Sequence, residues 1–156
     1  MIEFRHLQEA LAQYAQAIAD KYKTNLESSG RRATGQLITS VNTVVVVNEN
    51  EFAIELNLQD YWKFVEEGTS PHFPPISKIL EWVKVKQILP TPMANGKLPT
   101  EQQLAWMIAK KIDRVGTEGS NDLEHTMEEV DYEAIIEEAL DKDILGCLDE
   151  ILLLVQ

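Results

Sequence analysis

Apolar residues open the chain at Phe4, Leu7, Leu11, Tyr14, Ala15, Ile18, Tyr22 and Leu26. Steps of three and four put all of them on one side of a helix, so the spacing predicts an amphipathic N-terminal helix with Gly30 as its stop. Past "TGQLITSV" (residues 34–41) the period changes from helical to alternating. Phe52, Ile54, Leu56 and Leu58 alternate with Ala53, Glu55 and Asn57, the pattern of a strand with one buried face. The valines from Val44 to Val47 lack polar alternation and predict a strand covered on both faces, with "NEN" (residues 48–50) as the turn of an antiparallel hairpin. "DYWKFVEEG" then predicts a short helical turn ending at Gly68. Helical spacing returns at Ile76, Ile79, Leu80 and Val83, with Pro75 in the first turn and an end before Pro90.

Pro90, Pro92 and Pro99 with the Asn95-Gly96 pair break the pattern and predict a loop or small projecting hairpin. Thr100 and Gln103 stand at capping-box spacing and open a helix through Leu104, Ile108, Ile112 and Val115, with Gly116 beyond its end. "TEGSNDLEHTMEE" is polar throughout and predicts a flexible connection. Asp131 is placed to cap a last helix whose buried side would be Ile135, Ala139, Leu140, Ile144 and Leu148. The apolar run in "EILLLVQ" fits a helix end or a strand equally. Together these elements predict an α+β fold: a small antiparallel β-sheet packed by the N-terminal helix and two or three further helices. Residues 1–116 form the α+β domain, and residues 117–156 form a C-terminal helical extension packed on it.

Charge sharpens that division. Residues 1–116 carry 13 basic and 13 acidic side chains, while residues 117–156 carry 1 and 13, so the net charge of -12 belongs to the last segment. Its acidic residues alternate with apolar ones and read as the wet face of an amphipathic helix. No cluster of cations is present to displace counterions from a phosphate backbone, which argues against tight nucleic-acid binding. No apolar run approaches the roughly 20 residues of a membrane-spanning helix. "MIEFRHLQEAL" lacks the layout of a secretory leader, so residence in a cytoplasm is expected. The one cysteine, Cys147, reads as a small buried hydrophobe.

The chemical motifs that the chain approaches do not survive inspection. "GRRATGQL" has glycines at 30 and 35, the spacing of a Walker loop, but Gln36 and Leu37 replace the lysine and hydroxyl residue that would hold the phosphates and magnesium. The segment also follows a helix rather than a strand. His6, His72 and His125 fall in three different predicted elements without HExxH spacing. No GxSxG elbow is present, and the consecutive Glu66 and Glu67 diverge on a helix, so they would not share a general acid–base site. No enzyme, cofactor or metal site is expected.

"TGQLITSV", a hairpin, and then "YWKFVEEGTSP" resemble the order T-G-x-L-x-x-S, strands, Y-x(3)-V-E-x-G-T found in the tail-completion, or head-tail joining (neck), proteins of tailed bacteriophages. The matching positions are Thr34, Gly35, Leu37 and Ser40, then Tyr61, Val65, Glu66, Gly68 and Thr69. "PPISKILEWVK" and "LAWMIAKKIDRVGTEG" are similar to that family's two later helices, and the resemblance covers roughly residues 1–120. It implies a virion structural subunit without catalytic residues, made in the host cytoplasm, that forms a homo-oligomeric ring between portal or adaptor and tail proteins. The genome would pass through the lumen without specific binding, and carboxylates lining that lumen would suit a sliding duplex. The shared motif residues would act as fold and interface determinants. The Pro-rich loop (Pro90, Pro92, Asn95, Gly96, Pro99) and the acidic tail are the least core-like segments, and are the candidates for contacts between subunits or rings. The competing expectation is a stand-alone cytoplasmic adaptor whose acidic helix docks a basic partner.

Overall fold

The computed structural model describes residues 4–30, 35–48 and 51–154. The N-terminal stripe forms α1 (Arg5–Ser28), which buries Leu7, Ala10, Leu11, Tyr14, Ala15, Ile18, Ala19, Tyr22 and Leu26. Its end is marked by Gly30 at φ +69°, one residue past the Ser29 cap. A short helix, α2 (Gln36–Ser40), leads into the antiparallel hairpin β1 (Asn42–Asn48) and β2 (Glu51–Asn57). The register pairs Val45 with Ile54 and Val47 with Phe52. Helix α1 covers the hairpin at one end through the edge-to-face pair Phe4–Phe52 and at the other through the core formed by Tyr22, Leu26, Leu37 and Val41, against which Leu56 and Leu58 pack. The class is α+β, as the pattern implies.

One expectation about the hairpin fails. The valines of β1 are not covered on both faces: Val44 and Val47, on opposite faces of the strand, are both exposed, because among the described residues this sheet has two strands and neither of its faces is covered along its full length. The "NEN" turn lies partly outside the described residues.

Helices α3 (Trp62–Glu66), α4 (Ile76–Lys86) and α5 (Glu101–Val115) follow, with a two-residue strand β3 (Gly68–Thr69) after α3. Pro75 is the N-cap of α4 rather than a residue of its first turn. The two helices after Pro75 pair with each other, Val83 on α4 meeting a seam where Ala105 and Ala109 of α5 are fully buried. The capping box of α5 is complete: Gln103 N–H donates to Thr100 Oγ1 at 3.2 Å and Thr100 N–H to Gln103 Oε1 at 2.9 Å. Between α4 and α5 the chain reverses at Ala94–Gly96, with Met93 N–H donating to Lys97 O at 2.9 Å and Lys97 N–H to Asn95 Oδ1 at 3.1 Å. Pro99 is buried there, whereas Pro92, Asn95 and Gly96 are exposed.

The polar segment expected to be flexible is instead ordered as strand β4 (Thr117–Glu118) and helix α6 (Asp122–Glu129), followed by α7 (Glu133–Leu154). Hydrogen bonding orders it where apolar periodicity gave no hint. Helix α6 runs antiparallel to the end of α1: Ser29 Oγ donates to Asp122 Oδ2 at 2.9 Å, Asn25 Nδ2 to Thr126 Oγ1 at 3.0 Å, and Lys21 pairs with Glu129 at 3.1 Å. Helix α7 continues in the same sense, with the Tyr132 ring just before it tilted against Tyr14 at 5.3 Å between centroids and Asp143 at the start of α1. The acidic segment therefore retraces α1 along its whole length.

Asp143 is what fixes the phase of α7. Phe4, at the N-cap of α1, has no capping side chain. The Asp143 carboxylate, 6% exposed, takes that role from across the chain. Its Oδ1 accepts from His6 N–H at 3.0 Å, its Oδ2 from Leu7 N–H at 2.9 Å, and His6 Nδ1 lies 2.7 Å from Oδ1. The inward side of α7 is consequently Ile136, Ala139, Leu140, Asp143 and Cys147, the cysteine half-buried. Of the residues expected to be buried, Ile135, Ile144 and Leu148 are exposed, because apolar side chains occur on every side of this helix and period alone does not select the face. The run after Asp149 is helical through Leu154. No helix among the described residues is long and apolar enough to cross a membrane.

Burial alone would raise the Asp143 pKa, but the amides of Leu7 and His6 with the His6 imidazole outweigh it and hold the carboxyl below its ordinary value. A depressed folded-state pKa contributes stability above the ordinary carboxylate value of about 3.9, and that contribution is lost as pH falls through the folded value. Asp143→Ala should cost about 1–2 kcal/mol at neutral pH in urea unfolding. The gap to wild type should close in acid; a gap that persists unchanged would contradict the charged cap. Tyr14 is buried with no hydrogen-bond partner for its hydroxyl among the described residues. Tyr14→Phe should be neutral or stabilising by up to about 1 kcal/mol in the same assay.

Candidate functional site

Described residues of the two sequence motifs come together near the end of α1. Gly35 takes φ +78°, a left-handed backbone that an L side chain rarely adopts, and turns the chain into α2. Leu37 then enters the core beside Ala19, Tyr22 and Leu26. Ser40 Oγ donates to Leu37 O at 2.7 Å and accepts from Gln59 N–H at 3.2 Å. That hydroxyl ties α2 to the chain just before the second motif. Thr34, expected to cap this turn, lies outside the described residues.

From the second motif, Val65 packs against the same cluster from α3. Tyr61 sits at the N-cap of α3 with its ring exposed, so it contributes to the surface rather than the core. Glu66 is 5% exposed. Its Oε1 accepts from the Tyr22 hydroxyl at 2.8 Å and its Oε2 from Leu123 N–H at 2.9 Å. Burial, then this hydrogen bond, push the Tyr22 phenol far above the ordinary tyrosine range. The backbone of the motif is held as well: Ser120 N–H donates to Val65 O at 2.9 Å and Asn121 N–H to Glu66 O at 3.2 Å. Glu66 thus joins α1, α3 and α6, and its neighbour Glu67 is exposed at the C-cap of α3.

Gly68 and Thr69 do more than end α3. They pair as β3 with β4, Gly68 opposite Glu118 and Thr69 opposite Thr117, with the two threonine hydroxyls 2.9 Å apart. The pairing needs backbone at a distance no side chain permits. A Cβ on Gly68 would lie 2.1 Å from Thr117 O, and one on Gly119 would lie 2.0 Å from Glu66 O. The partner of the V-E-x-G-T motif is therefore "GTEGS" (residues 116–120), whose paired glycines were the available signal in the sequence.

The remaining surface of this region is an open groove of about 690 Å³ between α3, α4, α5 and the end of α1. Phe64, Trp82, Ile108 and Val115 line it, and Lys78, Lys86 and Lys111 stand around it together with Glu118. Lys86 closes one end by donating to Gly30 O. The histidines are far less organised. His6 pairs with Asp143, His72 Nδ1 lies 2.9 Å from Ser70 O, and His125 lies 3.7 Å from Glu128. Among the described residues no group of three or more His, Cys, Asp or Glu side chains is gathered in a way that could hold a metal ion. The arrangement offers shape and apolar surface, with a buried hydrogen-bonded node behind it. In comparisons with known proteins, no family model, curated protein or solved structure matches the chain.

Removing the node should be costly in a specific way. Glu66→Ala leaves the Tyr22 hydroxyl and Leu123 N–H buried without an acceptor and should cost about 2–3 kcal/mol in urea unfolding. Gly68→Ala adds a backbone clash to a left-handed φ of +75° and should cost more than about 2 kcal/mol. Gly96→Ala, with φ +74° but open space around it, should cost only the conformational term of about 1 kcal/mol. Equal losses for the two glycines would refute the close-approach account.

Proposed function

We propose that this chain is a structural subunit of the neck of a tailed bacteriophage, a tail-completion or head-tail joining protein that works as a homo-oligomeric ring between portal and tail. The genome would pass through that ring, and the chain has no catalytic role. One observation carries the reading. The two halves of the motif pattern, separated by a complete β-hairpin, converge on one core: Leu37 and Val65 share a hydrophobic cluster and Ser40 clips to Gln59. Such convergence is what a pair of fold-determining motifs requires. The glutamate, glycine and threonine of the second half each have a defined structural task, which suits motif residues that specify a fold rather than a reaction.

A second feature supports assembly. Phe64, Phe73, Leu89, Leu98, Trp106 and Val115 are all exposed, Leu89 to 88%, in a chain with ample charge for a solvated surface. Apolar surface on this scale marks a protein that is covered by partners. Leu89 and Leu98 flank the Pro-rich reversal, which agrees with that loop as an assembly contact.

The test is genetic and biochemical. Phage carrying a deletion of the gene should accumulate filled heads and separate tails, and the chain should co-purify with the portal or tail protein of the same phage. Normal infectious particles made without it would overturn the reading and favour a stand-alone adaptor.

A further inference from the structure

We infer that the C-terminal end of α7 is a plug that docks into the α4–α5 groove of a second copy of this chain, a head-to-tail contact. Because α7 runs antiparallel to α1 and Asp143 caps the start of α1, residues 144–154 continue past that start. At 1.5 Å per residue the overhang is about 16 Å. From Ile144 to Leu153 every side chain except Cys147 is exposed. Ile144, Leu145, Leu148, Ile151 and Leu152 recur at three- and four-residue steps and form one stripe. It lies about a third of a turn round the helix from the side that faces α1.

The groove sits at the other end of the same axle. It is bounded by Gly30, just beyond the end of α1, whereas the overhang begins at the opposite end of that 24-residue helix. The length of α1 alone is about 36 Å, so the overhang cannot reach its own groove. Chemistry selects the same partner. An apolar stripe spaced i, i+3/i+4, i+7 matches an aromatic-lined groove in the helix-in-groove mode. The charges on residues 144–154 are Asp149, which flanks the stripe, and Glu150, on the far side of the helix, and the lysines at 78, 86 and 111, of which Lys78 pairs with Glu81 at 3.6 Å, outnumber Glu118 around the groove. A contact between two different patches of identical subunits is heterologous, and it closes into a ring when its rotation permits. The inference therefore deepens the neck reading, and rests on that reading only for ring closure.

The contact can be trapped in the purified full-length protein. In a Cys147→Ser background, Leu152→Cys marks the plug and Val115→Cys the groove. Oxidising a concentrated mixture of the two should give a disulfide between them in excess of either homodimer, and a chain with both substitutions should give a ladder of oligomers. Adding Lys78→Glu and Lys111→Glu should abolish the ladder while the far-ultraviolet circular dichroism stays unchanged. Plug-to-plug homodimers alone, an intrachain disulfide, or no cross-link would overturn the inference. A ladder from a chain dispensable for infectious particles would sink the neck role but leave the contact standing. A neck ring whose subunits do not cross-link would do the reverse.

Discussion

The Glu66 carboxyl group is the constraint on which the rest of the molecule depends. Buried polar groups are costly unless each finds a partner, and this one is satisfied only when three separate helices arrive together. The Tyr22 hydroxyl comes from α1 and the Leu123 amide from α6, while Glu66 itself ends α3. With those three fixed, Gly68 meets Thr117, Gly119 meets Glu66 O, and the turn from α5 into the acidic segment is determined. The side of α3 that faces away from the node carries Phe64 into the groove with α4 and α5. Core and groove are thus two faces of one arrangement.

Helix α1 is held by a carboxyl clamp at each end. Glu66 and Asp122 act near its C-terminus, through Tyr22 and Ser29, and Asp143 acts at its N-terminus. Two of these three acids belong to the segment that holds the whole net negative charge of the chain. That segment is bound to the body by selected carboxyls turned inward, while others such as Asp149 and Glu150 remain in solvent. The same antiparallel course leaves one end of α7 projecting beyond α1 and the groove at the far end, so the chain presents two dissimilar ends.

Much of this was legible in the residues. The stripe of α1, the hairpin with its half-buried Leu56 and Leu58 side, and the Thr100 capping box are each local patterns, and each formed where the spacing put it. What stayed hidden was non-local. Asp143 and Asp122 look like solvated acids from their neighbours in the chain, and only partners more than 90 residues away make them buried acceptors. Helix α6 carries few apolar residues, so a periodicity argument had nothing to register. In α7 apolar side chains on all sides left the face undecided until the cap on α1 chose it. Of the candidate site, the glutamate of V-E-x-G-T and the glycine after it were visible as a pattern, whereas their task became visible only with the 116–120 backbone against them.

The proposed account joins a motif-defined core to a subunit with a plug at one end and a groove at the other. A cryo-electron-microscopy reconstruction of the neck of the virion proposed to carry this chain tests that claim most directly. The account predicts a closed ring of this subunit between portal and tail, with residues 144–154 of each copy lying across Phe64, Trp82 and Val115 of the next. A neck built without this chain, or a ring in which the groove is empty and the α7 ends point elsewhere, would contradict it.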